Sequence, residues 1–136
     1  MTHDPWFADT FFFLALRNPQ DEAHGRAVAI TAQVAGRPLV TTAWVLTEVA
    51  DALAKPRNRK GFADLLAMLS ANPSAVVVPP AQALFERGIA LYTQRGDKDW
   101  SLTDCISFVV MAEQQITEAL TGDHHFEQAG FRALLM

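Results

Sequence analysis

The chain is predicted to fold as an α/β protein: a mainly parallel central sheet of four to five strands flanked by helices. Two observations carry that prediction. Short apolar or β-branched runs alternate with longer stretches whose apolar residues recur at helical spacing, the pattern of strand–helix–strand units. The 136 residues, half of them hydrophobic and 19% charged, suffice for one core of ordinary globular composition, so residues 1–136 are expected to form a single domain.

Each element has its own signal. Trp6 to Ala8 reads as a short first strand, followed by an apolar helical stretch from Thr10 to Leu16 that Asn18-Pro19 breaks. Asp21 to Ala35 places Ala23, Ala27, Ile30 and Val34 on one helical face and ends at Gly36, a C-terminal stop. Pro38 to Thr42 reads as a second strand entering a helix from Ala43 to Ala54, and Gly61 to Ala71 as a further helix. Val76-Val77-Val78 before Pro79-Pro80 reads as a third, buried strand. Helices from about Ala81 to Gln94 and Ser101 to Gln115 flank the loop from Gly96 to Trp100, and strands at Glu118 to Thr121 and around Phe131 to Leu134 finish the chain.

Composition excludes some functions. No apolar run is long enough to span a membrane, and Met1-Thr2-His3-Asp4-Pro5 lacks the basic start and apolar core of a signal peptide, so a cytoplasmic protein is expected. The single cysteine, Cys105, lies in an apolar helical run and reads as packing. Net charge is −4, opposite in sign to an ordinary nucleic-acid-binding module. The one basic cluster, Lys55 to Lys60, reads foremost as a solvated loop between helices. Contact with nucleic acid therefore calls for a cation other than side chains.

The informative residues are acids. In a parallel sheet, ligands sit beyond the carboxyl ends of the strands, and there Asp9 ends the first strand, Glu48 lies in the helix leaving the second, Asp104 opens its helix, and Asp123 follows the fourth. Singly each has a structural reading. Asp9 suits a helix cap, Glu48 an outward-pointing helical acid, Asp123 a turn, and Ser101 with Asp104 a capping box. Together, four carboxylates at one end of a sheet repel one another unless a cation lies among them, and oxygen-only donors suit Mg²⁺ or Mn²⁺.

Four short matches, in order, carry a resemblance: Ala8-Asp9-Thr10 after a short strand, Thr47-Glu48-Val49 in a helix after a Thr-ended strand, Ser101-Leu102-Thr103-Asp104, and Leu120-Thr121-Gly122-Asp123-His124-His125-Phe126. Over nearly its whole length the chain resembles the PIN-domain ribonucleases, in particular the VapC-like toxins of toxin–antitoxin pairs. That resemblance implies a metal-dependent endoribonuclease whose catalytic acids are Asp9, Glu48, Asp104 and Asp123. Asp9 and Asp104 are expected as direct ligands of Mg²⁺ (or Mn²⁺), Glu48 as a direct or water-mediated ligand that orients the attacking water, and Asp123 as a weaker or outer one. Thr10, Ser101 and Thr121 are expected to fix carboxylate rotamers through their hydroxyls. The implied partners are an RNA substrate, a cognate antitoxin and a second copy in a homodimer.

Other residues carry less. Asp99 is read as part of a solvated loop, and Trp44, Trp100 and Phe11 to Phe13 as core. His124 and His125 suggest zinc or a general acid, yet adjacent histidines project differently and no further His or Cys completes a zinc set, so neither is assigned to metal. Two rival classes are a receiver- or dehalogenase-like phosphoacceptor domain, for which no D-x-D-x-T pattern follows the first strand, and a PIN-like interaction module without catalysis, which the presence of all four acids disfavours.

Overall fold

The computed structural model describes residues 3–136; Met1 and Thr2, part of the expectation about the N-terminus, lie outside the described residues. Five strands form one sheet in the order β3-β2-β1-β4-β5. They are β1 (Trp6–Ala8), β2 (Leu39–Thr42), β3 (Ala75–Val78), β4 (Glu118–Leu120) and β5 (Arg132–Ala133). Every pairing is parallel, with Phe7 opposite Val40 on one side and Ala119 on the other. The helices are α1 (Thr10–Arg17), α2 (His24–Val34), α3 (Ala43–Ala52), α4 (Arg59–Ala71), α5 (Gln82–Gln94), α6 (Leu102–Glu113) and α7 (His124–Gln128). None of the described helices is long and apolar enough to cross a membrane.

This order places a switch point at β1. The chain builds outward from β1 to β2 and β3, then returns to add β4 and β5 on the other side, so the connections leaving β1 and β4 diverge and open a crevice beyond their carboxyl ends. β1 is buried on all three residues, and its apolar run Trp-Phe-Ala suits a strand covered on both faces. Phe7, Phe13, Ile106, Met111, Leu120 and Phe126 are among the largest fully buried side chains. Phe108 joins Trp100 and Phe126 by edge-on ring contacts at 5.0 and 4.9 Å between centroids.

Two close approaches depend on glycine. A Cβ on Gly88 would collide with Ile106, so its absence lets α5 lie tightly against α6. A Cβ on Gly122 would meet the Phe11 ring at 2.5 Å; this glycine thus seats α1 against the loop after β4.

Several expectations are corrected. β3 is not buried: it is an edge strand, with Val76 51% and Val77 38% exposed. A continuous apolar run does not distinguish a central strand from an uncovered edge. The helix expected from Asp21 starts at His24, because the Asp21 carboxylate accepts the Ala23 backbone N–H at 2.8 Å and forms a turn ahead of the helix. The basic cluster is not a simple loop; Pro56–Asn58 form a 3-10 turn running into α4, which begins at Arg59. Helix α7 lies between the fourth and fifth strands, where no element is expected from the sequence. Trp100, Phe12 and Phe13 are core as expected, while Phe11 and Trp44 are half-buried, Trp44 stacking on Phe85 at 6.3 Å.

Candidate metal centre

Asp9 stands at the N-cap of α1 but does not cap it with its side chain. Its Oδ2 instead accepts the Thr121 hydroxyl proton at 2.8 Å across the gap between β1 and β4. The same Thr121 oxygen accepts the Asp123 backbone N–H at 3.1 Å, tying the two acids to one buried hydroxyl. Thr41 braces the neighbouring strand by donating to the Ala8 carbonyl at 2.8 Å, and Thr42 caps α3 by accepting from the Val45 N–H, which sets the start of the helix that carries Glu48.

Asp104 does cap. Ser101 accepts the Asp104 N–H at 3.0 Å and Asp104 Oδ2 accepts the Ser101 N–H at 3.2 Å, a complete capping box. The same Oδ2 lies 3.1 Å from His125 Nδ1. Asp123 caps α7 by accepting the His125 backbone N–H at 2.9 Å, and its Oδ1 also lies 3.4 Å from His125 Nδ1. Glu48 is half-buried on α3 and its charge reaches Asp9.

Electrostatics register this convergence. Burial pushes the Asp9 carboxyl up from 3.8 to about 7; the charges of Asp104 and Glu48 add to the rise, while bonds from the Thr121 hydroxyl and the Thr10 backbone oppose it. Burial also raises Asp104, helped by the Asp123 charge and countered by the Ser101 backbone and His125. Among the described residues no Lys or Arg forms an ion pair with any of the four acids; the only ion-pair partners of Asp104 and Asp123 are His124 and His125.

Of the three expected hydroxyls, Thr121 bonds a carboxylate; the Ser101 hydroxyl instead accepts the Asp104 backbone N–H, and it is the Ser101 backbone N–H that bonds the Asp104 carboxylate. Thr10 Oγ1 is buried without a partner. Asp99 is exposed in the loop before α6, as a solvated acid would be. Cys105 is buried, and burial raises its thiol above the ordinary value. The residue that sequence reasoning set aside is His125. The ligand atoms of Asp123, His124 and His125 lie within 4.8 Å of one another. The available signal was position: His125 follows Asp123 by two residues, inside the first turn of a helix too short to show periodicity.

A parallel sheet with a strand-order switch point, and acids brought to it from the end of β1, from α3, from α6 and from the end of β4, fits an α/β fold of PIN type. A sequence profile of the PIN domain matches residues 7–132, and the chain belongs to that family. This removes the phosphoacceptor reading. Among solved structures it is similar to the Mycobacterium tuberculosis toxin VapC20, described as cleaving the sarcin–ricin loop. The two share 27% sequence identity and superpose with a TM-score of 0.81 over 92% of this chain and 95% of that one. Comparison with curated proteins gives no match.

Proposed function

We propose that the chain is a divalent-metal-dependent endoribonuclease, the toxin of a toxin–antitoxin pair, that hydrolyses RNA phosphodiester bonds. The observation that carries this reading is the convergence of Asp9, Glu48, Asp104 and Asp123 with no Lys or Arg among the described residues paired to them. A carboxyl raised to about 7 by burial, with acidic neighbours adding to the rise, lacks a counter-charge, and hard oxygen donors fit Mg²⁺ or Mn²⁺. The unpartnered Thr10 hydroxyl beside Asp9 is a further polar atom left unsatisfied by protein. The likeness to a ribonuclease toxin along nearly the full chain supports RNA as substrate.

Asp9 and Asp104 are the direct ligands, Glu48 a direct or water-mediated one, and Asp123 a weaker or outer one. When bound, the ion supplies Lewis-acid stabilisation of the phosphate and of the departing 3′ oxygen, and eases deprotonation of the attacking water. The chain's own part is geometric. Thr121 fixes the Asp9 carboxylate, the capping box fixes Asp104, and Glu48, which makes no hydrogen bond to another described residue, is free to orient the water for in-line attack. The P–O3′ bond breaks as the water oxygen bonds to phosphorus. Lys55 and Arg57, exposed and without ion-pair partners among the described residues, are available to the RNA backbone.

The antitoxin reading is supported by a groove between α1, α2 and α4, lined by Phe12, Leu16, Val34, Met68 and Leu69, with Met68 48% exposed. Exposed Ile89, Tyr92, Val76 and Val77 support a homodimer, and cellular RNA as substrate implies a cytoplasmic protein. The test is RNA cleavage by the purified chain. Expected is cleavage with Mg²⁺ or Mn²⁺, lost in excess chelator and in Asp9→Asn and Asp104→Asn, which keep side-chain shape and remove charge. Undiminished cleavage in chelator, or by both variants, overturns the mechanism.

A further inference from the structure

We propose that His125 supplies a nitrogen ligand to the centre, which makes its Asp104–Asp123 side a mixed nitrogen and oxygen site that takes Mn²⁺ in preference to Mg²⁺. The inference rests on the metal-dependent reading above and adds a donor from outside the four acids.

The argument begins with spacing. His125 Nδ1 lies 3.1 Å from Asp104 Oδ2 and 3.4 Å from Asp123 Oδ1. Neighbouring donors of an octahedral ion with bonds of about 2.1 Å are themselves about 3 Å apart, √2 times the bond. The imidazole nitrogen thus lies at the spacing of a neighbouring donor from each of two carboxylate oxygens, drawn from α6 and the start of α7, and it also belongs to the group Asp123, His124 and His125 whose ligand atoms all fall within 4.8 Å of one another. The longer of its two distances to oxygen is poor for a hydrogen bond.

Position makes the donor dependable. The His125 side chain is 20% exposed, its backbone N–H is held by Asp123 Oδ1, and the next residue, Phe126, is fully buried, so the ring is anchored on both sides. His124 differs. Its side chain is 66% exposed, its Nδ1 is 3.8 Å from Asp123 Oδ1, and it has no contact with Asp104. One histidine of the adjacent pair thus joins the two acids, while the other touches only the outer one.

Chemistry then selects the ion. Mg²⁺ holds to oxygen and sheds water reluctantly, whereas imidazole suits the first-row transition metals, and Mn²⁺ accepts carboxylate as well. A site of carboxylates plus one imidazole favours Mn²⁺ on both counts.

The experiment uses the full chain, stripped of metal and loaded with Mn²⁺, with no RNA present. Pulsed electron paramagnetic resonance is expected to show directly coordinated ¹⁴N in the wild type and in His124→Ala, and none in His125→Ala. Calorimetric titration should show Mn²⁺ affinity falling at least about tenfold in His125→Ala, with Mg²⁺ affinity nearly unchanged. Bound Mn²⁺ without a directly coordinated nitrogen in the wild type overturns the proposal, leaves His125 as a hydrogen-bond partner of Asp104, and does not touch the nuclease reading. Loss of the nitrogen signal in His124→Ala instead of His125→Ala overturns it too. A wild type that binds neither ion overturns both readings. The wild-type spectrum decides the main point even where a variant folds poorly.

Discussion

The two ends of the short strand β1 are built on opposite electrostatic plans. At the amino end Trp6, Glu118 and Arg132 form a row across β1, β4 and β5. The indole N–H donates to Glu118 Oε1 at 3.1 Å, and Arg132 pairs with Glu118 Oε2 at 3.2 Å. Arg37 lies over the Trp6 ring at 4.0 Å. The half-buried acid there has both a hydrogen-bond donor and a cation from the chain itself. At the carboxyl end, a few residues on, the described residues provide Asp9, Asp104 and Asp123 with hydroxyls, backbone N–H groups and histidine, and neither these acids nor Glu48 with a Lys or Arg. The first end is closed. The second carries an uncompensated charge that folding alone leaves unsolved, and this imbalance separates a structural ion pair from a site awaiting a ligand.

The largest effect expected from this contrast is on stability against pH. In the metal-free protein Asp9 holds its proton up to about pH 7, whereas the unfolded chain releases it near 3.8. Between these values the folded state binds more protons than the unfolded one, so stability falls as pH rises. The contribution is fully present below the unfolded pKa and is lost as pH passes the folded one, a change on the order of 4 kcal/mol. Asp104, also raised, acts in the same direction. Chemical denaturation of the chelated protein from pH 4 to 8 should show the decline, and Asp9→Asn should flatten it. A wild type whose stability rises over that interval would mean that Asp9 is not buried without a counter-charge.

Next in size is Thr121→Val. This keeps the side-chain volume and removes the oxygen that joins Asp9 to the Asp123 backbone. RNA cleavage should drop about 10- to 100-fold, as for partners that orient metal ligands. The hydroxyl bond favours the ionised form of Asp9, so its loss should move the acid limb of the pH–rate profile upward. A variant with the wild-type limb would show that Thr121 does not set the charge of Asp9.

Smaller again is the metal response of Asp104→Asn. Asn keeps much of the capping ability of Asp, so the chelated variant should melt no lower than the wild type, and relief of repulsion raises it. Mg²⁺ or Mn²⁺ at ten times its dissociation constant should stabilise the wild type by about 1.4 kcal/mol and the variant much less. Equal metal-induced shifts in thermal melts would reduce Asp104 to a cap.

What the sequence disclosed and what it concealed divide along the range of the interactions. The strand and helix alternation was legible because periodicity is local, and the capping box at Ser101 and Asp104 because its residues are three apart. The convergence of acids at one end followed from the parallel order of the elements. The choice Asp9 makes between capping α1 and binding Thr121 was not legible, since the two residues are 112 positions apart in the chain. Nor was the place of His125, which depends on the five-residue helix α7 turning its ring toward Asp104. The strand β3 lies where it is expected but the burial expected of it is not met, for a related reason: apolar residues specify a strand, but only the neighbours present in three dimensions decide whether it is covered.

The smallest effect is predicted at the closed end, and it serves as the control. Arg132 is 74% exposed and its pair with Glu118 lies in high dielectric, where such contacts contribute about 0–1 kcal/mol. Arg132→Met keeps the length of the stem and removes the charge. Glu118 stays hydrogen-bonded to the Trp6 indole, so no buried acid is stranded. Stability should fall by at most about 1 kcal/mol, by less in high salt. Cleavage and metal-induced stabilisation should match the wild type, because the whole length of the strands separates Arg132 from the acids. Parallel urea melts and RNA-cleavage assays of Arg132→Met and Thr121→Val compare the two ends directly. A loss of cleavage in Arg132→Met as large as that in Thr121→Val would show that the ends are coupled through β4 and β5, and the contrast between a closed and an open end would fail.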